Sequence, residues 1–241
     1  MELFGKQKNK IKDYWENLLD FVFPKECFRC KKEGEYLCSA CFDKIEYIEE
    51  FPCFICHAEN NEKGICAQCA GKTGIDQIII AAKYNDYFVG QLVEEFKYNF
   101  LEEISGLLSQ IMVEQIRRKN LIQFVKNHQF VPIPLHRKRL MERGFNQSFA
   151  LANLLGFQYN CVVRDDLLRR RINTIQQAKL SRSERQENVK NAFVVNSANA
   201  LSGNFILIDD VLTTGSTFIS SAKVLKSAGA NSIVCLAVCH G

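Results

Sequence analysis

The chain has 241 residues, of which 47% are hydrophobic and 24% charged, and its net charge is +4. This is the composition of a globular protein, and the length allows a sizeable core in one or two domains. No apolar run reaches the roughly 18 residues of a transmembrane helix, which excludes stable membrane insertion. The first residues lack the apolar core and cleavage site of a signal peptide, so we expect a cytoplasmic protein.

Apolar residues near the N-terminus recur at helical spacing and predict an amphipathic helix. They are Ile11, Tyr14, Trp15, Leu18, Leu19 and Val22. The polar face carries Lys10, Lys12 and Asp13, which is not basic enough to favour a membrane surface. We therefore expect the apolar face to pack against the rest of the protein.

Eight of the 11 cysteines form four Cys-x2-Cys pairs in one short segment: Cys27, Cys30, Cys38, Cys41, Cys53, Cys56, Cys66 and Cys69. Each pair can present two thiolates to one ion, and two pairs complete the tetrahedral four-sulfur site that zinc prefers. The pattern predicts a double zinc ribbon with two zinc ions within residues 1–72. Because four cysteines close each site, the zinc is expected to be structural rather than catalytic.

Two alternatives to this zinc arrangement stay open. An iron–sulfur cluster is the main alternative to zinc at a site of four cysteines. Disulfides would instead require an exported protein. The short gaps within each quartet favour two sequential sites, but an interleaved pairing of the four knuckles is the other solution. His57 directly follows Cys56; we expect it at the surface, since the cysteines already supply four ligands to each ion.

Residues 73–241 alternate strand-like and helical patterns and predict an α/β domain with a parallel sheet flanked by helices. The predicted elements, in chain order, are a strand at 75–84, helices at 87–100 and 101–119 that break near Asn99, a strand at 128–134, a basic loop at 136–147, a helix at 148–155, a strand at 203–209, a helix at 217–228 capped by Gly229, and a strand at 231–238. Cys235 falls in the last strand and is expected to be a buried hydrophobe, with Cys239 just after it.

Positive charge is concentrated in one part of this domain. From Arg137 to Lys190 there are 12 Lys or Arg against 5 Asp or Glu. Such a segment favours an anionic ligand or a nucleic acid. Within it, Gly144 would let the backbone approach an anion closely and Arg143 would add charge-assisted hydrogen bonds, although a solvated basic loop is the alternative.

The most informative stretch runs from Phe205 to Thr217, where a buried strand leads into Asp209 and Asp210 and then into a hydroxyl-rich turn before a helix. The turn offers backbone N–H groups, hydroxyls and a helix N-terminus, which together favour a phosphate monoester. Carboxylates at the carboxyl end of a strand suit diol hydroxyls or magnesium. A plain helix cap would explain the turn but needs neither the paired acids nor so many hydroxyls.

This stretch resembles the 5-phosphoribosyl-1-pyrophosphate (PRPP) motif of type I phosphoribosyltransferases. The resemblance implies that Asp209 and Asp210 hold the ribose hydroxyls and that the following loop wraps the 5′-phosphate. It assigns the PRPP ligand, which would come with Mg²⁺, to a site that also includes Val211, Leu212, Thr213, Thr214, Gly215, Ser216 and Thr217.

Nearly the whole chain resembles the ComF family, the competence-associated phosphoribosyltransferase-like proteins. The resemblance rests on Phe23-Pro24 before the first zinc knuckle, on Val131 to His136, on Arg143 to Gln147, and on the segments Thr174–Gln177 and Leu180–Val189. It implies a type I phosphoribosyltransferase-like fold preceded by the zinc ribbons. The middle segments also look like the pyrophosphate loop and the catalytic flexible loop of glutamine PRPP amidotransferases. By that likeness Arg143, Gly144, Asn146 and Gln147 cradle pyrophosphate, and Thr174, Gln177, Arg182 and Arg185 close over it.

Three functions are compatible with this resemblance. The favoured one is a PRPP-binding protein that handles incoming single-stranded DNA in natural transformation, with DNA-uptake proteins such as a helicase as further partners. The second is an active transferase that moves phosphoribose from PRPP onto an amine or a nucleobase and releases pyrophosphate. The third is a sensor that binds PRPP without turnover and passes the signal through the zinc module.

Overall fold

The computed structural model describes residues 25–59, 62–84, 87–98, 102–172, 192–196 and 200–241. The chain divides into two compact units, one ending at Ile45 and one from Glu46 to Gly241. The predicted N-terminal helix lies outside the described residues. The domain boundary predicted after residue 72 says which segments fold independently of each other. It stays a prediction.

The first unit contains the first cysteine quartet. Its knuckle between Cys27 and Cys30 is closed by a hydrogen bond from the Lys31 N–H to the Cys27 carbonyl, 2.9 Å long. In the second pair, Cys38 is the N-cap of the short helix α1, Ser39–Phe42, and Cys41 lies within that helix. Cys27, Cys38 and Cys41 are buried, whereas Cys30 is exposed.

The second unit is built on a parallel sheet of four strands in the order β1-β6-β5-β2. The strands are β1 Gln77–Lys83, β2 Gln129–Pro132, β5 Asn204–Leu212 and β6 Ser232–His240. A separate antiparallel pair consists of β3 Leu168–Arg170 and β4 Phe193–Val195. These findings confirm the predicted α/β class.

Helices cover both faces of this sheet. They are α2 Ala67–Thr73, α3 Tyr87–Tyr98, α4 Glu102–Arg118, α5 Ile122–Lys126, α6 Arg137–Arg143, α7 Gln147–Tyr159 and α8 Ser216–Ser227. Helices α4 and α7 contact the strands and one another, and α8 contacts β6, β4 and α2. Because α2 carries Cys69, the second zinc ribbon packs on the α8 side of the sheet.

Burial on both faces explains the apolar run that leads to the two aspartates. Phe205, Ile206, Leu207 and Ile208 are each at most 1% exposed, as expected for the interior strand of a parallel sheet. The apolar run is therefore explained by the interior position of β5 in the sheet. Its carboxyl end brings Asp209 and Asp210 to the edge where the other parallel strands also end.

The prediction of a basic loop at residues 136–147 is wrong, because residues 137–143 form helix α6. The His136 Nδ1 accepts a hydrogen bond from the Lys138 N–H at the start of the helix, and Gly144 ends it with φ of 79°. Two smaller corrections concern the C-terminal region. Helix α8 is capped by Ala228 rather than by Gly229, and β6 extends through Cys239.

Candidate functional site

The two aspartates at the end of β5 are held in different ways. The Asp209 carboxylate accepts hydrogen bonds from the Ser148 hydroxyl, 2.8 Å away, and from the Asp210 N–H, 3.0 Å away. Burial and the neighbouring Asp210 raise the pKa of Asp209 to about 7. The site thus holds two carboxyl groups side by side at the end of β5.

The turn after β5 leads into the N-terminus of α8. Gly215 precedes the helix with φ of 69°, and the Thr214 and Ser216 hydroxyls are 2.8 Å apart. The backbone N–H groups at a helix N-terminus and the helix dipole are the features that suit such a position to an anion. The structure thus confirms the strand–turn–helix order at this position, while binding of a phosphate by the turn stays a prediction.

A phenylalanine of the second zinc ribbon presses directly on this turn. A Cβ atom on Gly215 would lie 2.5 Å from Cε1 of Phe54, which is the residue after Cys53 in the knuckle. The Phe54 ring is 7% exposed and contacts the His240 ring edge-on, with centroids 5.5 Å apart. Sequence reasoning assigned no role to this phenylalanine.

The segment between α6 and α7 supplies the opposite wall of the site. Arg143 and Gln147 line the cavity described below. The amide of Gln147 is buried, and its Nε2 has no hydrogen-bond partner among the described residues. Asn146 caps α7 through the Ser148 N–H and donates to the Ile133 carbonyl, whereas Gly144 ends α6. These two residues support the wall in the structure, and their contact with a ligand stays a prediction.

Two further arginines enter the site from elements that sequence analysis did not assign to it. Arg139 on α6 and Arg170 on β3 line the same cavity as Arg143. Burial and then the neighbouring Arg139 lower the pKa of Arg170 to about 10, while Asp209 acts in the opposite direction. Burial and Arg143 also lower the pKa of Arg139. Crowded cations of this kind would be stabilised by a bound polyanion.

Lys97, near the end of α3, is the remaining cation of the site. Its ammonium donates to Glu94 at 2.8 Å, and the Tyr84 hydroxyl donates to the same carboxylate at 3.3 Å. Burial alone would lower the pKa of Lys97, but Asp210 and Glu94 outweigh it and raise that pKa. Lys97 therefore stays charged while its side chain is only 19% exposed.

Most of these groups surround one cavity of about 460 Å³, whereas Gly144, Asn146 and Thr214 do not line it. Its polar and charged lining residues include Tyr84, Glu94, Lys97, Arg139, Arg143, Gln147, Ser148, Arg170, Asp209, Asp210, Thr213, Ser216 and Thr217, and Val211, Leu212 and Gly215 also line it. The structure thus brings most of the predicted ligand residues together. Thr174, Gln177, Arg182 and Arg185 lie outside the described residues, so their role stays a prediction.

The eight N-terminal cysteines form two separate quartets in sequential order, so the interleaved pairing does not occur. One quartet is Cys27, Cys30, Cys38 and Cys41, the other is Cys53, Cys56, Cys66 and Cys69, and within each the Sγ atoms lie within 4.8 Å of one another. The Sγ atoms of Cys30 and Cys38 are 3.6 Å apart, and those of Cys56 and Cys66 are 3.7 Å apart. Zinc–sulfur bonds of about 2.3 Å at tetrahedral angles would separate the sulfurs by about 3.8 Å. Both quartets fit zinc.

The two quartets share the same electrostatic pattern. Burial opposes ionisation of Cys27 and Cys53, but backbone N–H groups of the knuckles outweigh it and lower both pKa values to about 6. Burial and the neighbouring sulfurs raise the pKa of Cys41 and Cys69 to about 12. A divalent cation would relieve this repulsion, because thiolates are the form that binds zinc. His57 is exposed, as predicted.

Known proteins resemble this chain both in the zinc ribbons and in the rest of the sequence. Residues 18–70 match the family described as "Double zinc ribbon domain". Competence protein F of Haemophilus influenzae is 29% identical over 223 residues, which cover 86% of this chain and 93% of that protein. The resemblance to the ComF family is confirmed.

Other ComF-type relatives have similar coverage. Competence protein ComFC of Streptococcus pneumoniae is 28% identical over 204 residues, 84% of this chain and 87% of that protein. DNA utilization protein YhgH of Escherichia coli K12 is 28% identical over 178 residues, 73% of this chain and 77% of that protein. The matched residues extend well beyond the zinc ribbons, so the similarity includes the α/β unit. Among the described helices of this chain, none is both long and apolar enough to cross a membrane.

The raised pKa of Asp209 predicts that this site lowers the stability of the folded protein at neutral pH. The folded state holds the proton up to about pH 7, whereas the unfolded chain loses it near pH 4, so stability falls as the pH rises between these values. We expect Asp209→Asn to raise the free energy of unfolding by on the order of 2 kcal/mol at pH 8, with little gain at pH 4.

Urea unfolding at both pH values measures this difference. Ser148→Ala is the matched control, because it removes the hydrogen bond to Asp209 and leaves the carboxylate. An Asp209→Asn protein less stable than the wild type at pH 8 would contradict the prediction.

Proposed function

We propose that this protein binds PRPP with Mg²⁺ in the cavity at the ends of β5 and β2. The observation that carries the proposal is the single cavity that joins Asp209, Asp210 and the α8 N-terminus with Arg139, Arg143 and Arg170. PRPP has a phosphate at one end, a diol in the middle and a pyrophosphate at the other, and each part has a chemically suitable wall. Magnesium would accompany the pyrophosphate and balance its charge.

The paired aspartates favour a sugar phosphate over a simple polyanion. Two carboxylates would repel a bare phosphate or pyrophosphate, but both can accept hydrogen bonds from neighbouring ribose hydroxyls. The turn after β5 would then take the 5′-phosphate, and the buried Gln147 amide would donate on the arginine side. Lys97, close to Asp210, balances part of the negative charge at the diol position.

The biological role we propose is the handling of incoming single-stranded DNA in natural competence, in the cytoplasm. Support comes from the names of the relatives, which refer to competence and to DNA utilization, and from the basic segment between Arg137 and Lys190. A helicase or another DNA-uptake protein would be a natural partner. Binding of a single-stranded oligonucleotide that weakens as salt rises is expected, and no binding at low ionic strength would contradict this role.

Calorimetry with PRPP and Mg²⁺ on the zinc-loaded protein tests the ligand. We expect the double variant Asp209→Asn and Asp210→Asn to weaken binding by about 100-fold or more, because hydrogen bonds to charged groups contribute about 1.5–3 kcal/mol each. Asp76→Asn is a matched control, since Asp76 lies at the other end of the sheet, where it accepts from the Ile233 N–H. Unchanged affinity in the double variant would overturn the site assignment.

An active phosphoribosyltransferase is the second candidate, favoured by the unbroken Asp-Asp to Thr-Thr-Gly stretch and by the donors on the arginine wall. In that reaction the cavity would hold the ribose and pyrophosphate while an amine or nucleobase displaces the pyrophosphate. Release of pyrophosphate with a panel of acceptors tests it. Tight PRPP binding without consumption of any acceptor would leave ligand binding, rather than turnover, as the role of the site.

A further inference from the structure

A second cavity adjoins the candidate PRPP cavity and has a different chemical character. Its volume is about 470 Å³, and its lining residues are Tyr47, Ile48, Glu49, Glu50, Phe51, Lys83, Tyr84 and His240. Four of these eight side chains are aromatic rings, and two are carboxylates. Neither the sequence motifs nor the relatives' names assign a role to this cavity.

The two cavities share Tyr84 as a common wall. This tyrosine follows β1, and its hydroxyl donates to Glu94, the carboxylate that also holds Lys97 in the PRPP cavity. His240 ends the neighbouring strand β6, and Gly241 after it lines the PRPP cavity. A ligand in the second cavity would therefore lie next to a sugar phosphate in the first.

The segment that precedes the second zinc ribbon forms the outer wall of the second cavity. It is held on β1 by backbone hydrogen bonds from the Ile48 N–H to the Ala81 carbonyl and from the Lys83 N–H to the Glu46 carbonyl, each 3.2 Å long. The buried Gln115 amide adds bonds to the carbonyls of Ile48 and Ile80. Tyr47 is therefore attached to the sheet and positioned by it.

The lining chemistry favours a planar ring that carries hydrogen-bond donors. One face of the Tyr47 ring is covered by the Arg118 guanidinium, 4.4 Å from the ring centroid, and the remaining aromatic surface is of the kind on which nucleobases stack. The carboxylates of Glu49 and Glu50 can accept from an exocyclic amino group, as glutamate does from cytosine N4. The Lys83 ammonium is paired with Glu46 at 2.9 Å, so an anionic ligand is not favoured here. Burial, and then His57, lower the pKa of His240.

We propose that this second cavity binds a nucleobase with an exocyclic amino group, such as adenine or cytosine, beside the sugar of the PRPP site. The position next to that sugar rests on the proposed function, whereas binding of the base does not. The base can come from a free nucleobase or from a base of a single-stranded DNA. Both sources present the same ring and amino group, and the experiment separates them.

Saturation-transfer NMR and calorimetry with adenine, cytosine and thymine on the zinc-loaded full chain test the proposal. We expect adenine and cytosine to bind and thymine, which lacks the amino group, to bind at least tenfold more weakly. Tyr47→Leu removes a ring that lines only the second cavity and is expected to weaken adenine binding at least tenfold. Glu50→Gln, an exposed substitution without a folding risk, is expected to reduce the preference for adenine over thymine. Phe157→Leu is the control, because that ring is 91% exposed on α7 and lines neither cavity.

Each outcome of this test decides a separate question. Equal affinity for thymine, or adenine binding that survives both Tyr47→Leu and Glu50→Gln, would overturn the proposal. Adenine binding in a protein that does not bind PRPP would support this cavity and contradict the proposed function. PRPP binding that is unchanged by Tyr47→Leu, together with lost adenine binding, would support both. Weaker binding of an abasic oligonucleotide than of a dA-containing one would identify DNA as the source, whereas equal oligonucleotide affinities with adenine bound would identify the free base.

Discussion

Replacement of Gly215 by alanine is expected to destabilise the protein by about 2–5 kcal/mol and to weaken PRPP binding. Two effects add. At φ of 69° an alanine pays a left-handed backbone penalty of about 1–2 kcal/mol, and its Cβ would lie 2.5 Å from Cε1 of Phe54. Because the ring belongs to a knuckle and is buried, it cannot move away without disturbing the zinc ribbon, and overpacking of this kind costs about 1–3 kcal/mol.

The chain offers a matched control for the backbone part of this effect. Gly144 has φ of 79°, but a Cβ there would meet nothing within 4 Å. Urea unfolding should therefore show a loss of about 1 kcal/mol for Gly144→Ala and a clearly larger loss for Gly215→Ala. If the two losses are equal, the collision with Phe54 does not occur.

A double-mutant cycle separates the collision further. Phe54→Leu removes the ring edge, so Gly215→Ala should cost less in that background than in the wild type. We expect a coupling energy of about 1 kcal/mol or more between these positions. If the two losses of unfolding free energy are additive, the zinc ribbon and the turn that contains Gly215 are energetically independent.

Loss of the second zinc is expected to have a larger effect than loss of the first on the candidate PRPP site. Structural zinc contributes about 10–16 kcal/mol of binding free energy in small modules, so a missing ligand removes most of the support for a ribbon. Cys69 lies on α2, which contacts α8, and α8 begins directly after the turn that contains Gly215. We therefore expect Cys69→Ser to unfold the second ribbon and to abolish sugar phosphate binding.

Cys41→Ser is the matched variant in the first quartet. Both cysteines are buried and have a pKa raised to about 12, but Cys41 belongs to the compact unit that ends at Ile45. Each variant should lose one of two zinc equivalents by metal analysis. Ribose 5-phosphate binding, followed by calorimetry, should persist in Cys41→Ser only. Equal loss of binding in both variants would contradict the link between the second ribbon and the site.

Features that lie in one short segment could be predicted from the sequence. The cysteine quartets depend on local spacing, and the Asp209–Asp210 pair follows a strand whose apolar run is long enough to identify it. Helix α6 was missed because residues 137–143 are almost all charged and have no apolar period. The signal for it was the left-handed Gly144 that ends the helix.

Residues that reach the site from distant segments could not be predicted in the same way. Arg170 lies on a three-residue strand, and Phe54 lies in a zinc knuckle more than a hundred residues before the turn that it contacts. Their approach depends on the packing of α2 against α8 and of β3 against β4, which no local pattern encodes. Gln147 was predicted as a ligand-binding residue by resemblance. Its buried Nε2 without a hydrogen-bond partner among the described residues is a physical reason to expect a bound ligand there.

The pairing of β3 with β4 has a consequence for how the sequence between them can vary. The Arg171 N–H donates to the Ala192 carbonyl at 2.8 Å, so these two positions are held together by the backbone. The entropic cost of bringing two such positions together depends only weakly on the number of residues between them. Insertions or deletions between β3 and β4 are therefore expected to leave this pairing, and with it the position of Arg170 in the site, intact.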